Sequence, residues 1–318
     1  MTPPHAPHVL AIMGPTASGK SRLAIDLAER LNGEIISVDS ALIYRGMDIG
    51  TAKPTPTEQR GIPHHLIDIR DPAESYSTGA FIKDAGRLIT HITHQGKLPI
   101  LAGGTFLYFN ALFHGMAELP EADPAVRRAI DQEADRLGWL AMHQELARVD
   151  PEAAARIHPN DPQRIQRALE VWRLTGTSLT ELCTRTPSQA FPLNVTRIIV
   201  SPTDRSILHE RIRQRFLAMI ENGLIEEVER LYQRGDLHLD VPALRAVGYR
   251  QVWLYLDGTY NRETLMERGV IATRQFAKRQ YTWLRRETTG YRYDSESPRL
   301  TENVLRDWSS RAEQHSKA

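Results

Sequence analysis

The residues best equipped for chemistry lie near the start of the chain. Gly14, Pro15, Thr16, Ala17, Ser18, Gly19, Lys20 and Ser21 match G-x-x-x-x-G-K-[ST], between an apolar segment and an amphipathic one. A strand that turns into a helix through such a loop offers successive backbone N–H groups and a helix N-terminus to an anion. In that cradle Lys20 would neutralise a di- or triphosphate and Ser21 would hold Mg2+. Nucleotide hydrolases, small-molecule kinases and diphosphate-handling transferases all use the same cradle, so the loop alone leaves the reaction open.

Two further segments aim polar groups at the same place. Asp39 follows the apolar stretch Ile35–Val38, which puts its carboxylate at the carboxyl end of the strand beside the phosphate loop, where open α/β sheets bind ligands. It suits a base or a Mg2+-organising group. Its alternative is a turn cap, a common use of Asp-Ser ahead of a loop. Gly103-Gly104-Thr105 ends a third apolar run in the same manner.

The elements that must position these groups are legible from periodicity. Val9–Met13, Glu34–Ser37, Pro99–Ala102 and Val195–Val200 read as buried strands, and Ser21–Leu31 as a helix with Leu23, Leu27 and Leu31 on one face. Strands alternating with helices predict an α/β fold of P-loop type, a central parallel sheet flanked by helices. From Asp123 to Arg185 strand signals vanish, and Pro124, Pro151 and Pro162 mark helix starts. The expected organisation is a core of residues 1–122 and 194–318 with a helical insertion at 123–193. Leu208, Ile212, Phe216 and Ile220 define another helical face before Gly223, and the C-terminal third is mainly helical. Residues 53–63 and 186–192 read as loops.

At 318 residues the chain is long enough for a sizeable core, and its 25% charged and 41% hydrophobic residues fit a soluble globular protein. The net charge of +1 means that nucleic-acid binding must rest on local clusters of cations. One such cluster is Arg274, Lys278, Arg279, Arg285 and Arg286, interleaved with Tyr281 and Trp283 and without an acidic residue until Glu287. It suits a phosphate backbone, while spacing alone equally allows a solvated face with a buried Trp283. Val270, Ala277 and Leu284 recur at every seventh position and would pack the other side. A single cysteine, Cys183, excludes an internal disulfide and a cysteine-based zinc site and suits a reducing compartment. His64, His65 and His158 lack companions at ligand spacing and read as structural. The apolar start is too short for a signal peptide or membrane span, so a cytoplasmic protein without membrane contact is expected.

Taken together, GPTASGKS at 14–21, VDSALIYRGMDIGTAKP at 38–54, GGTFLYF at 103–109, HPNDPQRIQRALE at 158–170, RAVGYRQVW at 245–253 and ATRQFAKRQYTWLR at 272–285 resemble the tRNA dimethylallyltransferases, also called tRNA isopentenyltransferases. The blocks span nearly the whole chain in the family's order. The resemblance implies that dimethylallyl diphosphate sits with its diphosphate in the loop, and that N6 of adenine 37, beside the anticodon, attacks the allylic carbon. Lys20, the loop amides and a Ser21-bound Mg2+ would stabilise the departing pyrophosphate, and Asp39 would accept the N6 proton. Thr105 and Arg215 would contact substrate or diphosphate; spacing alone would make Arg215 a solvated helix charge.

By the same resemblance the tRNA contacts are Asp39, Ser40, Ala41, Leu42 and Thr105; Arg127; Gln163, Arg164, Ile165, Gln166 and Arg167; Arg245, Ala246, Val247, Gly248, Tyr249 and Arg250; and Lys278, Arg279, Gln280, Tyr281, Thr282, Trp283, Leu284 and Arg285. A channel admitting the unstacked base, an anticodon stem-loop partner and a monomeric enzyme are the corresponding expectations. Two residues depart from the family's pattern. Leu42 stands where many members have Gln, and Phe106, where many have Gly, would put a bulkier wall beside Thr105. The aspartate-rich DDxxD pattern of soluble prenyl-chain synthases is absent, which fits a donor site built from a phosphate loop. The rival readings are a small-molecule or nucleoside kinase using the loop for ATP, and a non-catalytic nucleotide-switch or RNA-binding module.

Overall fold

The computed structural model describes residues 6–185 and 190–315, so part of the expected 186–192 loop lies outside the described residues. The chain opens with β1 (His8–Met13), whose apolar Val9–Ile12 are fully buried, as in a strand covered on both faces. It passes through the glycine loop into α1 (Lys20–Arg30), which lays Leu23, Ala24, Leu27 and Ala28 on the sheet, and returns as β2 (Gly33–Val38). The following excursion is not all loop. Thr55 and Glu58 form a capping box around the one-turn α2 (Pro56–Gln59), and β3 (His64–His65) adds a short edge strand. Next come α3 (Thr78–His94), capped by Ser77, then β4 (Leu98–Gly103) and α4 (Phe106–His114).

Helices α5 (Pro124–Leu137), α6 (Trp139–Val149), α7 (Pro151–Arg156), α8 (Pro162–Thr175) and α9 (Leu179–Arg185) follow without a strand. Three of them begin alike. Asp123, Asp150 and Asp161 each precede the first-turn proline and accept the backbone N–H of Val126 (3.0 Å), Ala153 (3.0 Å) and Arg164 (3.2 Å), which is why the Asp-Pro pairs mark these starts. The chain continues through β5 (Asn194–Ser201), α10 (Arg205–Glu221), α11 (Leu224–Tyr232), a 3-10 turn at Ala243–Arg245, α12 (Tyr249–Leu256), α13 (Arg262–Leu284), β6 (Tyr291–Asp294) and α14 (Leu300–His315). The four apolar residues of α10 are buried as their spacing requires.

In the described residues the sheet has six strands, all parallel, in the order β3-β2-β4-β1-β5-β6. The edge strands β3 and β6 escaped the sequence reading because two and four residues are too few for a period-2 signal.

The chain divides into two compact units, Met1–Asn110 with Pro192–Ala318, and Ala111–Phe191. The first division falls inside α4, ahead of the expected Asp123. FLYFNALF is apolar almost all round and gives no sign of where one core ends. The second unit has its own core of Ile130, Met142, Leu146, Ile165 and Leu169. No helix among the described residues is long and apolar enough to cross a membrane.

Candidate functional site

Register gathers the site. Met13 and Val38 both pair with Gly103, so β1, β2 and β4 end level and release Gly14, Asp39 and Gly104-Thr105 side by side. The sharp turn after β1 requires glycine at position 14, since a Cβ there would strike the Val200 carbonyl and the Ser18 side chain. Ala17 (φ 62°) and Gly19 (φ 83°) take left-handed conformations; for the alanine this is a strained position of the kind that collects at functional sites. No side chain caps α1, which leaves its first-turn N–H groups for an anion. Ser18 Oγ is buried without a protein hydrogen-bond partner among the described residues.

Lys20 Nζ donates to the Pro15 carbonyl at 3.3 Å. Burial pushes its pKa down to about 8, with Asp39 pulling it up and Arg215 pushing it further down. Burial also lowers the Arg215 pKa, opposed mainly by Asp39. Two cations from separate elements therefore share the neighbourhood of one carboxylate. Asp39 Oδ1 accepts the Ala41 N–H at 2.9 Å, so the residue is a turn cap as well as a member of this cluster.

Thr105 and Gln280 hold the three strand-end loops together. Thr105 Oγ1 accepts the Ser40 N–H at 3.0 Å, and the Thr105 N–H donates to the Val38 carbonyl at 3.1 Å. Gln280 is buried; its Oε1 accepts the Thr16 N–H at 2.8 Å and its Nε2 donates to the Gly104 carbonyl at 2.9 Å. Glu227, buried on α11, accepts the N–H groups of Asp48 (3.0 Å), Ile49 (2.8 Å) and Gly50 (3.1 Å) together with the Tyr249 hydroxyl, and so fixes the loop that carries Gly50 and Thr51.

A cavity of about 300 Å³ opens on this assembly. Thr16, Asp39, Ser40, Arg215, Arg245 and Arg279 supply its polar lining, and Ala17, Ile212, Phe216, Met219, Val247 and Phe276 an apolar wall. A larger, more open cavity of about 940 Å³ shares Ala17 and Arg215 with it and continues past Ser18, Gly19, Arg22 and Arg211. The phosphate loop thus borders a mixed apolar pocket and one rich in charge of both signs, where Arg22, Arg211 and Arg215 are accompanied by Asp26, Glu29 and Glu302. Neither Leu42 nor Phe106 lines the smaller cavity. Phe106 is buried within α4, 6.2 Å from the Phe109 ring.

The residues expected to touch RNA fall into two groups. Arg245, Arg250, Lys278, Arg279, Thr282, Trp283 and Arg285 are exposed, with Trp283 38% open, and Ala246 and Val247 half-buried. Among the described residues no carboxylate pairs with Lys278, Arg279 or Arg285. Tyr281 is half-buried under the Arg205 guanidinium, 5.1 Å from its ring. Gly248, Tyr249, Gln280 and Leu284 are buried, and of these Gly248 lines the smaller cavity.

In the helical unit Gln163 and Arg164 are exposed, and Gln166 Nε2 donates to Asp131 at 2.6 Å. Ile165 is wholly buried in the unit's core, and both Arg127 and Arg167 are engaged with the buried Glu170. Amphipathic spacing hid these commitments, because an arginine that grips a buried carboxylate looks the same in sequence as one that faces solvent. Gln280 and Glu227 were missed as positioning residues for the same reason; their only sequence signal is a polar residue on an otherwise apolar helix face.

The strand–loop–helix cradle, the strand-end carboxylate and the flanking cations form an arrangement of the P-loop type on a parallel α/β core. Known proteins narrow that class. Residues 42–287 match the model of the IPP transferase family. A tRNA dimethylallyltransferase of Methylococcus capsulatus is 58% identical over 307 residues, 96% of this chain and 98% of that one. Its counterpart in Alkalilimnicola ehrlichii is 61% identical over 284 residues, 89% of each. Among solved structures, the full-length tRNA isopentenylpyrophosphate transferase from Bacillus halodurans superposes with a TM-score of 0.72 at 40% identity, covering 98% of both chains. A eukaryotic dimethylallyltransferase acting on tRNA does so with a TM-score of 0.76 at 27% identity, over 97% of this chain and 77% of that one. The chain belongs to the tRNA dimethylallyltransferase family of prenyltransferases.

Proposed function

We propose that the protein transfers the dimethylallyl group of dimethylallyl diphosphate to N6 of adenine 37 in tRNA, giving N6-(dimethylallyl)adenosine and pyrophosphate. The observation that carries this reading is the cavity in which the Asp39 carboxylate, the phosphate loop and Arg215 meet an apolar wall of Ile212, Phe216, Met219 and Phe276. A five-carbon allyl chain and a purine face both suit such a wall.

In the reaction the N6 lone pair forms a bond to the allylic carbon as the carbon–oxygen bond to diphosphate breaks, and the N6 proton passes to Asp39. An adenine amine is a weak nucleophile, so positioning and stabilisation of the departing charge supply much of the rate. Lys20, Arg215 and the uncapped α1 N-terminus serve that purpose, and Thr105 holds Ser40 and hence the turn carrying Asp39 in place. Mg2+ fits the donor type available: Ser21, in the first turn of α1, would hold the ion through its hydroxyl oxygen, and the ion would supply charge neutralisation of the leaving group.

The anticodon stem-loop is the proposed RNA partner. The exposed cations of α13, Arg245 and Arg250 are the candidate contacts on the core unit, and Gln163 and Arg164 are exposed candidates on the helical unit, each taken by itself. Family resemblance further supports a monomer, and the lone free Cys183 suits action in the cytoplasm.

The test incubates purified protein with Mg2+, labelled dimethylallyl diphosphate and undermodified tRNA, followed by digestion and detection of N6-dimethylallyladenosine, with ATP replacing the prenyl donor as control. Product with the prenyl donor alone is expected. No product, together with ATP turnover, would replace this reading by a kinase.

A further inference from the structure

Gln280 stands on the cation-rich helix α13 but points the other way from its neighbours. Lys278, Arg279, Thr282 and Arg285 are exposed, whereas Gln280 is 4% exposed and spends both ends of its amide on the active-site loops. Its Oε1 takes the N–H of Thr16 inside the phosphate loop, and its Nε2 reaches the carbonyl of Gly104 at the end of β4. No backbone hydrogen bond among the described residues joins these two loops directly. A primary amide is the one uncharged side chain of this length that donates at one end and accepts at the other. The fit is close enough that a Cβ on Gly104 would strike Gln280 Nε2. One α13 side chain therefore sets the spacing between the phosphate loop and the loop that carries Thr105.

We propose that Gln280 is a positioning residue for the diphosphate cradle, through which the helix bearing the RNA-facing cations holds the phosphate loop in its anion-binding shape. The proposal rests on the reading of that loop as the diphosphate site. It differs from a tRNA contact at position 280, since the amide is turned inward and both its hydrogen-bonding ends are taken. With both hydrogen bonds lost, Thr16 is left with an unpaired N–H and the loop relaxes, so the cost appears in diphosphate affinity rather than in RNA affinity.

The experiment measures Mg2+-pyrophosphate affinity by calorimetry and tRNA affinity by filter binding for the full chain and for Gln280→Met, which keeps the length and loses both hydrogen bonds. Pyrophosphate binding is expected to weaken about tenfold, from two hydrogen bonds of ordinary net worth, with tRNA affinity held within about twofold. In turnover the same factor should appear in the KM for the prenyl donor, with kcat changing less. Gly104→Ala, which displaces the amide from the other side, should reproduce the pattern and serves if Gln280→Met does not fold. Unchanged pyrophosphate affinity in a folded variant, or pyrophosphate and tRNA binding falling by the same factor, would overturn the proposal. Failure of the unsubstituted protein to bind pyrophosphate would instead remove the diphosphate reading on which it stands.

Discussion

In the helical unit the buried charge is Glu170, with a fully enclosed side chain. Arg127 donates to it from Nε (2.9 Å) and Nη2 (3.0 Å), Arg167 from Nη1 (2.6 Å) and Asp123 from its backbone (2.9 Å). Burial alone would raise the Glu170 pKa, and these four donors hold it below the ordinary range instead. In the core unit Lys20 and Arg215 share the carboxylate of Asp39, with Glu58 a smaller influence on Arg215; Lys20 Nζ has one long bond to a carbonyl, and burial has lowered the pKa of both cations. A buried charge whose partners are all present belongs to the architecture. One that lacks counter-charge in the folded chain marks a place where a ligand supplies it.

The contrast breaks first at Asp39. Asp39→Ala should lower turnover by about 10²–10⁴-fold, the usual worth of a general base, while tRNA affinity holds; single-turnover transfer of labelled donor reads it. Retained turnover would reduce Asp39 to the turn cap that its bond to Ala41 already makes it. Glu170→Ala, at the opposite pole, should cost roughly 1–3 kcal/mol of local stability by leaving the Asp123 N–H and the partly exposed Arg127 and Arg167 without their shared acceptor. Hydrogen exchange in α5 and α8 of the full chain should rise accordingly, with pyrophosphate affinity unchanged. A loss of pyrophosphate binding there would erase the distinction between the two clusters.

How far each cluster was legible in the sequence follows from the same contrast. The phosphate loop, Asp39 and Thr105 stood out because glycines and polar residues at strand ends break an apolar pattern, and parallel register makes such breaks converge. Arg215 needed the family resemblance, since a cation on an amphipathic helix defaults to solvent. The Glu170 network was invisible: its arginines have ordinary helical spacing, and only tertiary packing reveals that Glu170 faces inward. Ile165 and Leu284 were assigned to RNA through motif membership, although their own apolar spacing pointed to the core. Gln280 shows the limit most sharply, since its neighbours at 278 and 279 face out while it faces in, and neither composition nor motif marks that turn.

A smaller effect sharpens the RNA side of the comparison. Lys278 and Arg279 carry exposed charge without acidic partners among the described residues, so they should release counterions when a phosphate backbone docks. Replacing both with alanine should flatten the dependence of log K on log salt by roughly 1–2, without altering pyrophosphate affinity. An unchanged slope would take this stretch of α13 out of the interface.

The smallest expected effect concerns protons and has two opposite signs. Lys20 titrates near pH 8 in the folded chain against an ordinary 10.5, so between those values the unfolded chain binds more protons at this residue. Its burial therefore costs stability in full below pH 8, and stability should rise as pH climbs through that window. Diphosphate binding runs the other way, because the anion favours the charged ammonium. At pH 8 and above, binding of pyrophosphate should take up part of a proton, and affinity should fall as pH rises. Calorimetry in buffers of different ionisation enthalpy reads the uptake, and Lys20→Arg, which stays charged, should abolish it. Uptake that persists in Lys20→Arg would assign the proton to another group and remove Lys20 from the set of charges that wait for the ligand.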